Sequence, residues 1–120
     1  MTQKFFHQSL AEGRWFTLTL AEQLGNIGSE IHRAILARGN QERFDNAVAR
    51  AFELFYLTVS DDRWKYRRKE IVRSRELFCD ALLGGMEYGT TLEDLDKYFF
   101  HFAMAARLER EKKRAKQLVY

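Results

Sequence analysis

The chain has 120 residues, 46% hydrophobic and 31% charged, with no proline, seven glycines and one cysteine. That length suits one hydrophobic core better than two domains, and a single cysteine excludes an intramolecular disulfide. The missing prolines, with Leu, Ala, Glu, Arg and Phe filling periodic segments, predict an all-α fold, an antiparallel up-down four-helix bundle.

Residues 1–16, MTQKFFHQSLAEGRWF, are aromatic-rich without a helical period. Phe5, Phe6, Trp15 and Phe16 flank a short turn in which Ser9 and Glu12 have capping-box spacing, and the segment is expected to pack on the bundle. Residues 1–20 lack a basic start followed by a continuous apolar run, so no secretory signal is expected. The longest late uncharged run, residues 98–106, is far below the roughly 20 residues of a membrane span. A cytoplasmic protein without membrane contact is the expectation.

The first long helix lies in TLTLAEQLGNIGSEIHRAILAR, residues 17–38, where Leu20, Ala21, Leu24, Ile27, Gly28, Ile31, Ala34 and Ile35 recur at steps of three and four. It begins at Thr17 or Thr19, the latter with Glu22 at capping-box spacing, and ends at Gly39-Asn40. An interior glycine costs about 1 kcal/mol relative to alanine. Gly25 and Gly28 therefore need an offset, and with Ala21 and Ser29 they make a strip along which another helix backbone can come close. This is the helix on which the others are expected to pack.

Asn40 caps a second helix with core positions Phe44, Val48, Ala51, Phe52, Phe55 and Val59, and the short connection makes the two helices antiparallel neighbours. Ser60-Asp61-Asp62 ends it and caps a third, whose apolar side carries Trp64, Ile71, Val72, Phe78, Ala81 and Leu82, closing at Gly84-Gly85. After the loop GGMEYGTT, Thr90 or Thr91 caps a fourth helix with Leu92, Leu95, Phe99, Phe102 and Ala106 facing inward; Thr91 and Asp94 have capping-box spacing. From Arg107 the chain reads RLEREKKRAKQLVY, a solvated helical extension or frayed tail with Leu118, Val119 and Tyr120 available for contact. The bundle thus spans residues 17–110 and the charged tail residues 111–120.

Charge is the strongest functional cue. Residues 1–62 carry six Lys or Arg against eight Asp or Glu, and residues 63–120 carry fourteen against nine, for a net charge of +3. The run RWKYRRKEIVRSR, residues 63–75, holds Arg63, Lys65, Arg67, Arg68, Lys69, Arg73 and Arg75 against one acid, Glu70. Arginine's planar fork suits phosphate oxygens, and Trp64 and Tyr66 could stack on a base. Arg107, Arg110, Lys112, Lys113, Arg114 and Lys116 add to the footprint, Arg110 and Lys113 being the tail positions expected to touch nucleic acid. The alternative is a solvated face paired with the chain's own acids, or with an acidic protein partner.

Enzyme signals are poor. His7, His32 and His101 fall in separate segments without Glu-x-x-His or His-x-x-x-His spacing, so no metal or cofactor is expected. Cys79 has no sequence-adjacent partner for redox or nucleophilic work and reads as a small side chain, buried or half-buried. Gly84-Gly85 and Gly89 lack the Lys of a P-loop. The Arg-then-His spacing of the small helical HEPN ribonucleases is absent. Glu22, Glu30, Asp94 and Asp96 read as caps and surface charges, with Glu30 the acid nearest the small-residue strip.

Four amphipathic helices, a basic second half and the stretches LAEQLGNIGSEIHRAI and EYGTTLEDLDKYFFHFAMAA resemble the four-helix-bundle group that includes the accessory variability determinant, Avd, of diversity-generating retroelements and the proteins encoded by ribosomal-RNA intervening sequences. The resemblance covers residues 15–110 and has no catalytic motif to transfer. It implies a ring-like homo-oligomer, typically a pentamer, that binds a reverse transcriptase and nucleic acid, RNA above all, without catalysing synthesis. The acid-rich first half departs from that pattern. The expectation is a non-enzymatic accessory protein that oligomerises and binds nucleic acid, with a protein-only adaptor or assembly scaffold as the alternative.

Overall fold

The computed structural model of the chain describes residues 13–118, which are helical with no strand among them. A short 3-10 helix, Arg14–Thr17, leads into α1, Leu20–Leu36, and α2, Gln41–Val59; a second 3-10 helix, Asp62–Arg67, leads into α3, Arg68–Leu82; and α4 is Leu92–Leu118. The expected turn at Ser9 and Glu12, the packing of Phe5 and Phe6, and Val119 and Tyr120 lie outside the described residues.

Local chemistry sets the boundaries. The Thr19 N–H donates to Glu22 Oε1 at 2.9 Å and the Glu22 N–H donates to Thr19 Oγ1 at 3.1 Å, a complete capping box that starts α1 at Thr19 rather than Thr17. Asn40 Oδ1 accepts the Arg43 N–H at the start of α2. Thr91 and Asp94 exchange the same reciprocal pair before α4. The third segment departs from expectation: a non-helical Trp64, φ −105° and ψ 18°, kinks the 3-10 segment Asp62–Arg67 that precedes α3. Its cause is the side-chain corner described below. Val72, expected on the apolar side of α3, is exposed.

The core joins all four helices through Leu24, Ile27 and Ile31 of α1, Leu54 and Phe55 of α2, Ile71 and Phe78 of α3, and Leu95 and Phe99 of α4, with Trp15 wholly buried beside them. Phe78 lies against both Phe52 and Phe55, ring centroids 5.0 and 5.8 Å apart, and Phe55 meets Phe99 edge-on. α1 packs most extensively on α4 and next on α2. The glycines explain the first of these. A Cβ on Gly25 would stand 3.0 Å from the Ala103 Cα, and one on Gly28 would stand 2.6 Å from the Phe99 Cβ, so only glycine lets α4 approach this closely. Glu22 with Arg110, Gly25 with Ala103, Gly28 with Phe99 and His32 with Asp96 form a descending register, so α1 and α4 run in opposite directions. Ala21 is half-buried beside that seam, and Ser29 is exposed, its hydroxyl donating to the Gly25 carbonyl at 3.2 Å.

The loop between α3 and α4 is organised by Asp80, whose buried carboxylate accepts the backbone N–H groups of Glu87, Tyr88 and Thr90 at 2.9 to 3.2 Å. Gly85 turns the chain there at φ +73°, where a Cβ would stand 2.9 Å from the Thr90 carbonyl oxygen. No helix among the described residues is long and apolar enough to cross a membrane.

Candidate functional site

The basic run 63–75 starts at a buried polar corner. Asp61 accepts the Arg63 N–H at 3.1 Å and a paired approach of the Arg63 guanidinium, Nε to Oδ1 at 3.0 Å and Nη2 to Oδ2 at 2.6 Å. Arg63 Nη2 also donates to the Leu18 carbonyl at 2.7 Å. Gln23, fully buried on α1, donates to both Asp61 Oδ2 and the Trp15 carbonyl at 3.0 Å and accepts from Trp64 Nε1 at 2.9 Å. Trp15 Nε1 donates to Thr58 Oγ1 at 3.1 Å. Burial pushes the Asp61 carboxyl up, but the hydrogen bonds from Arg63 and Gln23 and the Arg63 charge outweigh it and hold the group below its ordinary value. The corner ties the entry to α1, the end of α2 and the second 3-10 turn together, and holding Trp64 against Gln23 breaks the helix there.

The remaining cations of the run divide in the same way. Arg68 Nε donates to the Val59 carbonyl and its Nη2 to Asp62, both at 2.9 Å. Arg67 meets Glu70 at 2.9 Å, and Arg73 meets Glu76 at 3.5 Å while its guanidinium lies 4.3 Å from the Tyr88 ring centroid. Arg75 stacks over Phe52 at 5.1 Å, Lys65 over Tyr66 at 5.1 Å, and Lys69 is exposed. Within residues 63–75, Arg63, Arg67, Arg68 and Arg73 each meet an acid of the chain. Arg63 and Arg68, held by backbone carbonyls as well, are structural. Arg67 and Arg73 sit in exposed, solvent-screened pairs, which a phosphate can replace.

Cationic surface is instead concentrated where α4 runs past the core. Ala106 is the last buried residue of the helix, and residues 107–118 are exposed on every side. They carry six cations against Glu109 and Glu111. Arg107 pairs with Glu111 at 3.3 Å, and Arg110 with Glu22 at 3.7 Å. Lys112, Lys113, Arg114 and Lys116 have no ion pair among the described residues. Their successive positions distribute them around the helix.

A second stripe on α4, absent from the inward set read from the sequence, is the exposed series Phe100, Met104, Leu108 and Leu118. Phe100, Met104 and Leu108 follow one another at a spacing of four residues, and Leu118 stands ten residues further on. Phe100 borders a groove of about 350 Å³ between α1 and α4, with Gly28, Ser29, His32, Leu36 and Asp96 also on its walls. His32 Nδ1 lies 3.2 Å from Asp96 Oδ2 at solvent. Ser29 shares the groove but directs its hydroxyl at the Gly25 carbonyl, and the surrounding N–H groups belong to helix interiors, so neither an activated nucleophile nor an oxyanion pocket is assembled.

The other acids are occupied. Glu22 and Asp94 cap helices, and buried Glu30 receives Arg33 at 2.6 Å and Arg50 at 3.0 Å. His101 is exposed on α4 and does not line that groove, and Cys79 is a half-buried free thiol. Among the described residues, no three His, Cys, Asp or Glu side chains stand where they could hold a metal ion. Comparison with protein-family models, curated proteins and solved structures finds no match to this chain.

Proposed function

We propose that this protein is a non-enzymatic accessory module that binds nucleic acid through the exposed end of α4. The observation that carries the reading is the excess of cations on residues 107–118, four of them without an ion pair among the described residues. Such a helix reads the phosphate backbone without sequence preference and with steep salt dependence. Arg67, Arg73 and Lys69 extend the footprint where the strand crosses α3. The four helices are read as the antiparallel up-down bundle of the sequence expectation, supported by the opposed register of α1 and α4 and the short α1–α2 connection. The resemblance to the Avd group adds self-association and a reverse transcriptase as partner.

Binding of an unrelated single-stranded RNA and of a DNA duplex, measured at about 50 and 200 mM salt, tests the proposal. Micromolar binding at low salt that weakens at least tenfold is the expected result. No binding at low salt, or binding indifferent to salt, removes the nucleic-acid role. The internally paired arginines favour a protein-only adaptor as the second reading. Reversing Arg67 and Arg73 separates the two, because losing a protein partner with RNA binding intact supports the adaptor.

A further inference from the structure

We infer that the outer stripe of α4 pairs with the same stripe of a second copy, antiparallel, with Met104 at the two-fold axis. Phe100, Met104 and Leu108 are exposed at a spacing of four residues, a ridge that suits another helix. Among the described residues nothing covers this ridge, and the groove bordered by Phe100, His32 and Leu36 runs beside it.

The choice of a second copy rests on charge and symmetry. Around Met104, Phe100 and Leu108 are related by four residues on either side, and Lys97 and Glu111 by seven. A two-fold at Met104 therefore seats Phe100 on the partner's Leu108 and sets Lys97 opposite the partner's Glu111, twice over, as an isologous interface requires. The two ends of α4 are also of opposite sign. Its first turns carry Glu93, Asp94 and Asp96 against Lys97, and its exposed end carries six cations against two acids. Antiparallel pairing lays the basic end of each copy along the acidic start of the other, with Leu118 reaching toward the partner's Leu36. A parallel pairing would set like charge on like. Lys113 and Lys116 lie off the ridge and remain outward on both copies, and Arg110 stays with Glu22 of its own chain.

This deepens the self-association in the proposed function and is independent of its nucleic-acid part. It also departs from the ring that the family resemblance implies, since an isologous contact closes at two copies.

The test is the solution mass of the full chain by sedimentation equilibrium, with Lys97→Glu, Glu111→Lys, the double exchange and Met104→Glu, each checked for helicity by circular dichroism. The dimer is expected for the native chain. Each single reversal should weaken association about tenfold or more, since two symmetric pairs become like-charged. The double exchange should recover most of it, and M104E should be a folded monomer. Cys79→Ser with Met104→Cys supplies an independent readout, because two thiols facing each other across a two-fold axis give up two protons and two electrons to added diamide and join as a disulfide-linked dimer. A native monomer at 100 μM, a higher oligomer that tolerates M104E, or a double exchange no better than the singles each overturns the interface. RNA binding measured on the same variants reports separately on the proposed function.

Discussion

Gly28 of α1 lies directly beneath Phe99 of α4, so close that a methyl group on it would stand 2.6 Å from the phenylalanine Cβ. Both carbons are fixed to backbone, and no rotamer change relieves the overlap. Gly28→Ala should therefore destabilise the protein by about 1 to 3 kcal/mol, even though alanine is the better helix former by about 1 kcal/mol. Gly25→Ala, 3.0 Å from the Ala103 Cα, should lose less. Urea midpoints of the two variants decide the order; a G28A protein as stable as the native one would mean that α1 and α4 do not pack at this distance.

Gln23 is the hub of the buried corner, with donors toward Asp61 and Trp15 and an acceptor for Trp64. Gln23→Leu keeps the volume, removes one hydrogen bond from each of three partners and leaves Trp64 Nε1 with none, while Asp61 keeps Arg63 and the Trp15 carbonyl keeps the Leu18 N–H, so a loss of about 2 to 4 kcal/mol is expected. Gln23→Glu sets a carboxylate against Asp61. That variant should be weaker than the native protein at pH 7 and should narrow the difference on acidification, as one of the two acids takes up a proton. A deficit constant from pH 7 to 4 would show that the two groups are apart.

Asp61 and Asp80 set the acid limit. Burial raises Asp80 as it does Asp61, but the Glu87, Thr90 and Tyr88 N–H groups outweigh it and hold the carboxyl below its ordinary value. A group depressed in the folded state contributes stability that is fully present above its unfolded pKa, near 4, and disappears as the pH falls through the lower folded value. Thermal midpoints should be level from pH 7 to 5 and drop below about 4. Asp61→Asn with Asp80→Asn should lower the midpoint at pH 7 and flatten the acid limb; an unchanged slope would assign that limb to other carboxylates.

Short-range signals carry most of the fold in the sequence. Thr19 with Glu22, Asn40, and Thr91 with Asp94 act across three residues, so their spacing brings the helix starts to within two residues, and the structure decides Thr19 over Thr17 and Thr91 over Thr90. The break at Trp64 is not legible there because it depends on Gln23, forty-one residues away, although Gln23 sits between Leu20 and Ile27 on an apolar face, where a lone amide signals a buried partner. The basic run misleads for a related reason. Asp61 and Asp62 read as caps, and Asp61 does cap the 3-10 turn, but both acids also take the guanidinium groups of Arg63 and Arg68, which only the turn brings back onto them. The Phe100, Met104 and Leu108 ridge is written in plain periodicity, but a helix with two apolar stripes does not say which one faces inward.

The end of α4 separates stability from binding. Beyond Ala106 the helix buries no side chain, so its residues stabilise the bundle little. A chain stopped after Arg110 should melt within about two degrees of the native protein when both are monomeric, a small shift for a domain of this size, while nucleic-acid affinity at low salt falls at least tenfold. Lys113→Glu with Lys116→Glu should weaken binding comparably and lower the salt slope by about 2, one unit for each phosphate no longer neutralised. Arg63→Gln should do the reverse, leaving binding nearly unchanged and destabilising the fold, because that guanidinium already belongs to Asp61 and the Leu18 carbonyl. If R63Q abolished binding in a protein that still melted normally, the nucleic-acid surface would lie at the corner and not along α4.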